Sequence, residues 1–71
     1  MMNKDILPAI RATQGRFFGL YTKDGRAFNA RLIRETPKGI RFFDRNRNNE
    51  RLVTKNNIRS IHSRGRTVTT A

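Results

Sequence analysis

No cysteine and no tryptophan occur in this chain, and it holds one histidine, His62. Without thiols there is neither a disulfide nor a thiolate zinc site. A lone histidine with scattered carboxylates makes a poor metal site, so no metal and no cofactor are expected. No apolar run approaches the roughly 20 residues that a membrane span needs. The start, Met1 to Pro8, lacks the apolar stretch of a secretion signal. A cytoplasmic protein without membrane contact is therefore expected. Acidic residues are scarcest of all, five against sixteen Lys and Arg. Asp24, Glu35, Asp44 and Glu50 fall in turns or at strand ends, and none pairs with another or with His62 in an acid–base motif. No glycine-rich phosphate loop is present either. Catalysis on a small-molecule substrate is not expected.

What remains is positive charge. The formal net charge is +11 and the pI about 11.9. Such an imbalance points to a polyanionic partner. Twelve of the sixteen cations are arginine, whose planar fork suits phosphate and base edges better than a point charge does. The chain's 71 residues make one domain. A domain of that size buries only about 60% of its unfolded surface. With no disulfide to help, self-association is the expected support.

The spacing of apolar residues predicts a helix over residues 3–14, a small barrel over 16–63 and a flexible basic tail over 64–71. Asn3 or Asp5 caps the helix, Pro8 is tolerated in its first turn, and Gly15 stops it. Five strands follow: Phe17–Thr22, Arg26–Arg34, Ile40–Phe43, Arg51–Thr54 and Ile58–His62. Asp24-Gly25 and Thr36-Pro37-Lys38-Gly39 are turn chemistry. Alternation places Phe18, Leu20, Phe28, Leu32, Ile40, Phe42, Val53, Ile58 and Ile61 inside, joined by Ile6, Leu7 and Ile10 of the helix. The fold class is thus mostly β: a short N-terminal helix, then a five-stranded antiparallel SH3-type barrel, whose closure would remove its sheet edges.

Three stretches resemble the Sm-like family, and within it the bacterial Hfq type: Asp5 to Arg11, Tyr21 to Leu32, and Leu52 to Ile61. Small Sm-like barrels encoded by phages are similar too. The resemblance covers residues 5 to about 63 and implies a bent five-stranded barrel that assembles into an RNA-binding homo-oligomeric ring. It implies that Lys55, Asn56 and Asn57 face the ring's pore, and that Arg11 and Arg16 belong to a lateral RNA-contacting rim. Asn56 stands where the Hfq type has a histidine. The turn at Pro37-Lys38-Gly39 lacks that type's base-stacking Gln-Phe pair.

The residues themselves support the same candidates. Lys55 offers a charge to phosphate, and Asn56 and Asn57 offer amides to base edges, although a plain polar turn reads the same way. Lys38 adds a cation in the preceding turn. Arg45, Arg47 and Arg51 make the hairpin around Asn46 to Asn49 an arginine-rich finger, or else a tip with local ion pairs. Arg11 and Arg16 are rim cations or solvated helix-end charges. Phe17, Tyr21 and Phe43 lie opposite the predicted core, either to stack on bases or to be covered. The expected function is nucleic-acid binding, RNA first. The alternatives are a double-stranded DNA binder and a phage or host protein-interaction module.

Overall fold

A computed structural model describes residues 6–70. It is mostly β. Helix α1 (Leu7–Arg11) is followed by β1 (Phe18–Thr22), β2 (Ala27–Glu35), β3 (Gly39–Asp44), β4 (Asn49–Thr54), a single 3-10 turn (Lys55–Asn57), β5 (Ile58–Ser63) and β6 (Arg66–Thr69). Among the described residues no helix is long and apolar enough to cross a membrane.

The helix is shorter than expected. Pro8 sits in its first turn, as its missing N–H requires. The proposed caps Asn3 and Asp5 lie outside the described residues. The helix ends early because the chain tightens: Thr13 and Gln14 donate to carbonyls three residues back. Gln14 and Gly15 then take positive φ, 52° and 82°, and turn the chain into β1.

All six strands form one antiparallel sheet in the order β4-β3-β2-β1-β5-β6. Two expectations are corrected here. There are six strands, not five, and the sheet is not closed. The supposed tail pairs as β6 along β5, from Ser60↔Thr69 to Ser63↔Arg66. Its turn is Arg64-Gly65, both at positive φ, 54° and 76°. Two left-handed residues between paired strands make the tight hairpin whose twist matches the sheet. Thr67-Val68-Thr69 is β-branched throughout and suits the strand that follows. With β5 bonded to β1 on one side and β6 on the other, β4 and β6 are the two outer strands, and they are not paired with each other.

The β1–β2 connection also differs from a two-residue turn. Thr22 N–H donates to the Arg26 carbonyl (3.0 Å) and Gly25 N–H to the Thr22 carbonyl (3.1 Å), which encloses three residues, Lys23 to Gly25. Gly25 at φ 91° supplies the left-handed position that such a loop demands.

Bulges between Tyr21 and Thr22 and between Leu32 and Arg34 bend the sheet. Its inner face carries Phe18, Leu20, Phe28, Ala30, Ile40, Phe42, Val53, Ile58 and Ile61, and α1 covers it with Ile6 and Ile10. Leu7 and Leu32 are only partly buried. Phe28 and Phe42 meet edge to face at 5.3 Å. The bulge at Ile33 leaves that residue 43% exposed on the outer face.

Candidate nucleic-acid interface

The arginine-rich hairpin does not project as a free finger. Asp44 closes β3 with its carboxylate fully buried. One oxygen accepts the backbone N–H groups of Asn46 (3.1 Å) and Arg47 (3.3 Å). The other accepts Arg51 Nε at 2.8 Å and Arg47 Nη1 at 3.4 Å. One acid thus shapes the loop and aims two guanidinium groups. Both lie over Phe28, Arg51 at 5.3 Å and Arg47 at 6.0 Å from the ring centre. Burial pushes the Asp44 carboxyl upward, but the Arg47 and Asn46 N–H groups and the two guanidinium groups outweigh it and hold it below its ordinary value.

Arg26, from the β1–β2 loop, joins Arg47 and Arg51 around a cleft of about 220 Å³ beside Phe28. A smaller hollow of about 70 Å³ shares Arg26, Phe28 and Arg51 and adds Asp24 and Asn57. Asp24 is lowered chiefly by the Thr22 hydroxyl, which donates to it; burial opposes this, and the Asn57 amide, the Arg26 N–H and the Arg26 charge assist. The Asn57 carbonyl accepts Lys23 N–H at 2.8 Å, which ties the 3-10 turn to the β1–β2 loop. Three loops distant in sequence therefore meet at one end of the sheet. The arrangement offers fixed cations for phosphate, guanidinium planes for bases to stack upon, and a carboxylate with an amide for base edges.

The other sequence candidates fall elsewhere. Lys38 and Lys55 share a loop cluster, joined by a 2.8 Å bond from Lys55 N–H to the Lys38 carbonyl; they and Asn56 are exposed. Arg45 turns to the outer face, its guanidinium 5.1 Å from the centre of Phe17. Arg31 approaches the same ring at 5.3 Å, and Phe43 meets it edge-on at 6.5 Å. Phe17 and Phe43 are half-buried by this arginine–aromatic packing. Arg11 makes a bidentate ion pair with Glu35, one bond of 2.9 Å from Nη2 and a second from Nε. That pairing ties the helix to the end of β2 and removes Arg11 from a free cationic rim. Arg16 lies beside the β5–β6 hairpin, its Nη2 donating to the Ala12 carbonyl at 3.2 Å. His62 shares a 2.8 Å hydrogen bond with Thr67 on the outer face.

Arg26 and Asp24 were not singled out as site residues from sequence. The signal was present: both belong to a loop with turn chemistry, but only the fold sets that loop against Arg51. The chain matches no protein-family model, no curated protein and no solved structure.

Proposed function

We propose that this protein binds single-stranded nucleic acid, RNA in preference to duplex DNA, through the cleft formed by Arg26, Arg47 and Arg51. The observation that carries the reading is the convergence of these three cations, two of them held in place by buried Asp44. Preset donors lose less freedom on binding than mobile surface cations do. The rest of the surface agrees. Arg31, Arg34, Arg45 and Arg59 form no ion pair among the described residues, and Lys38, Lys55 and Asn56 extend the basic surface beyond Asn57. The chemistry is phosphate neutralisation with a few contacts to bases, not catalysis. Asp44 has its oxygens bound, and Glu35 and Glu50 face arginines, Glu50 at 3.5 Å from Arg41.

The Sm-like reading of the fold belongs to the same proposal. It is supported by the short helix packed on a bent antiparallel sheet, by β1 between β2 and β5, and by the 3-10 turn joining β4 to β5. Strand β6 departs from it. With both sides of β5 occupied, a head-to-tail ring would join β4 of one copy to β6 of the next. Sedimentation velocity is expected to show species heavier than the 8.3 kDa chain, sensitive to charge reversal at Arg66. A strict monomer at all concentrations argues against the ring.

Arg26 is exposed and no core contact depends on it, so Arg26→Gln separates binding from folding. Fluorescence anisotropy with labelled oligouridine is expected to show affinity weakened by about 1–3 kcal/mol and a salt dependence shallower by about one unit. A matched DNA duplex serves as the second arm. Unchanged RNA affinity in the folded variant removes the cleft from the site, and tighter duplex binding favours the DNA alternative.

A further inference from the structure

A second cavity lies away from the cleft, between the end of α1 and the β5–β6 hairpin, with a volume of about 480 Å³. Its floor is aliphatic, with Ala9 from the helix and Ile61 and Val68 from the sheet. Its rim is cationic, with Arg16, Arg64 and Arg66.

Three observations constrain what fits there. First, among the described residues no carboxylate lines the groove and none of the three arginines forms an ion pair. Glu35, Asp44 and Glu50 are engaged with arginines elsewhere. Second, the Arg16 Nε–H is buried without an acceptor. A buried charged donor left unmatched is costly, so a turn of the Arg16 side chain that brings this N–H to a ligand oxygen in the groove removes a standing penalty. Third, the floor presents no aromatic ring. It gives a nucleobase nothing to stack on, whereas it can cover an aliphatic side chain.

We propose that this groove binds an acidic segment of a partner protein, with carboxylates on Arg16, Arg64 and Arg66 and an aliphatic side chain on the floor. The site is separate from the nucleic-acid cleft and does not depend on that reading. Nucleic acid would engage the arginines but leave the floor bare. A second copy of the chain is a poor occupant: its net charge is +11, and its free edge strand β4 brings one carboxylate, Glu50, already facing Arg41. The edge of β6 and the groove beside it are also different surfaces, the first offering backbone groups and the second side chains.

The test uses the full chain and a fluorescein-labelled heptapeptide of alternating glutamate and leucine. A glutamate–serine heptapeptide of equal charge and an oligouridine of similar length are the comparison probes. The glutamate–leucine peptide is expected to bind tightest, and its amide chemical-shift changes to map to Ala9, Ile61 and residues 64–68. The double variant Arg64→Gln, Arg66→Gln is expected to weaken peptide binding at least about tenfold, as loss of charge-assisted hydrogen bonds implies, while oligouridine affinity changes far less. Shift mapping on the unaltered protein stands even where a variant folds poorly. The proposal is overturned if the two peptides bind equally, if the shifts fall on the Arg26–Arg47–Arg51 cleft, or if oligouridine displaces the peptide from the groove. It is also overturned if the groove shifts arise from self-association at rising protein concentration.

Discussion

Asp44→Ala is expected to cost about 3–5 kcal/mol, the range for breaking a buried charge pair and leaving its partners unmatched. A chain of this size is stable by roughly 4–10 kcal/mol in total. The variant therefore sits near the limit of folding at ambient temperature. The reason is the number of roles placed on one carboxylate. It shapes the β3–β4 loop through Asn46 and Arg47 N–H and holds the Arg51 and Arg47 guanidinium groups over Phe28. Removing it frees the loop and both arginines together, so under the proposed function RNA affinity is expected to fall along with stability. Asp44→Asn separates the two effects, since its amide oxygen still accepts from the loop N–H groups while the charge is gone. It is expected to retain more stability than alanine and still lose RNA affinity. Urea denaturation and RNA anisotropy on the two variants check this. Wild-type stability in Asp44→Ala would mean that the buried pair contributes nothing net.

The same residue sets an acid limit. Its carboxyl is held below the ordinary aspartate value in the fold, so the unfolded chain takes up its proton first as pH falls. The stabilisation is complete above the unfolded pKa. It declines as pH drops below about 4 and is gone below the folded pKa. Thermal unfolding followed from pH 6 to pH 2 is expected to show that decline, with a smaller one in Asp44→Asn.

Gly39→Ala is the second large effect. A methyl group there would lie 1.9 Å from the Val53 carbonyl oxygen, 2.8 Å from Thr54 Cα and 2.9 Å from Lys55 N. All three are backbone atoms at the end of β4 and the start of the 3-10 turn, and none can swing aside as a side chain would. Gly39 is thus required by close approach, not by an unusual φ. Relief needs the two strands to part at the Gly39↔Thr54 pair, which also strains the bond from Lys55 N–H to the Lys38 carbonyl. Overpacking of this kind costs about 3 kcal/mol or more. Urea denaturation should show the midpoint falling sharply while the slope stays constant. Because Lys38 and Lys55 sit on the two displaced segments, their spacing changes as well. An alanine variant with the wild-type midpoint would show that the β3–β4 approach is looser than this geometry.

Much of the inside of the molecule was legible in the sequence. Ile40 and Phe42 flank Arg41, Phe28 and Ala30 flank Asn29, and Phe18 and Leu20 flank Gly19, and a period of two leaves one face for the core. Ile6 and Ile10, one helical turn apart, were readable as the face that covers it. Strand β6 was missed because Arg-Gly is a weaker turn signal than Asn-Gly, and a short polar segment at a chain end reads as tail. Barrel closure was expected because it removes the sheet edges of short strands, but that economy does not set which strands pair.

The sequence by itself determined the order of the helix and the first five strands, most of the inward set of apolar residues and the excess of arginine, since these follow from local periodicity and composition. Only the tertiary structure decided which arginines act together. Arg45 and Arg47 are two residues apart, yet one packs on Phe17 outside and the other joins Arg51 and the distant Arg26 at the cleft. Arg11 was spent on Glu35, 24 residues away. Long-range pairing of strands sets these meetings, and a charged side chain carries no local signal of the partner it will find.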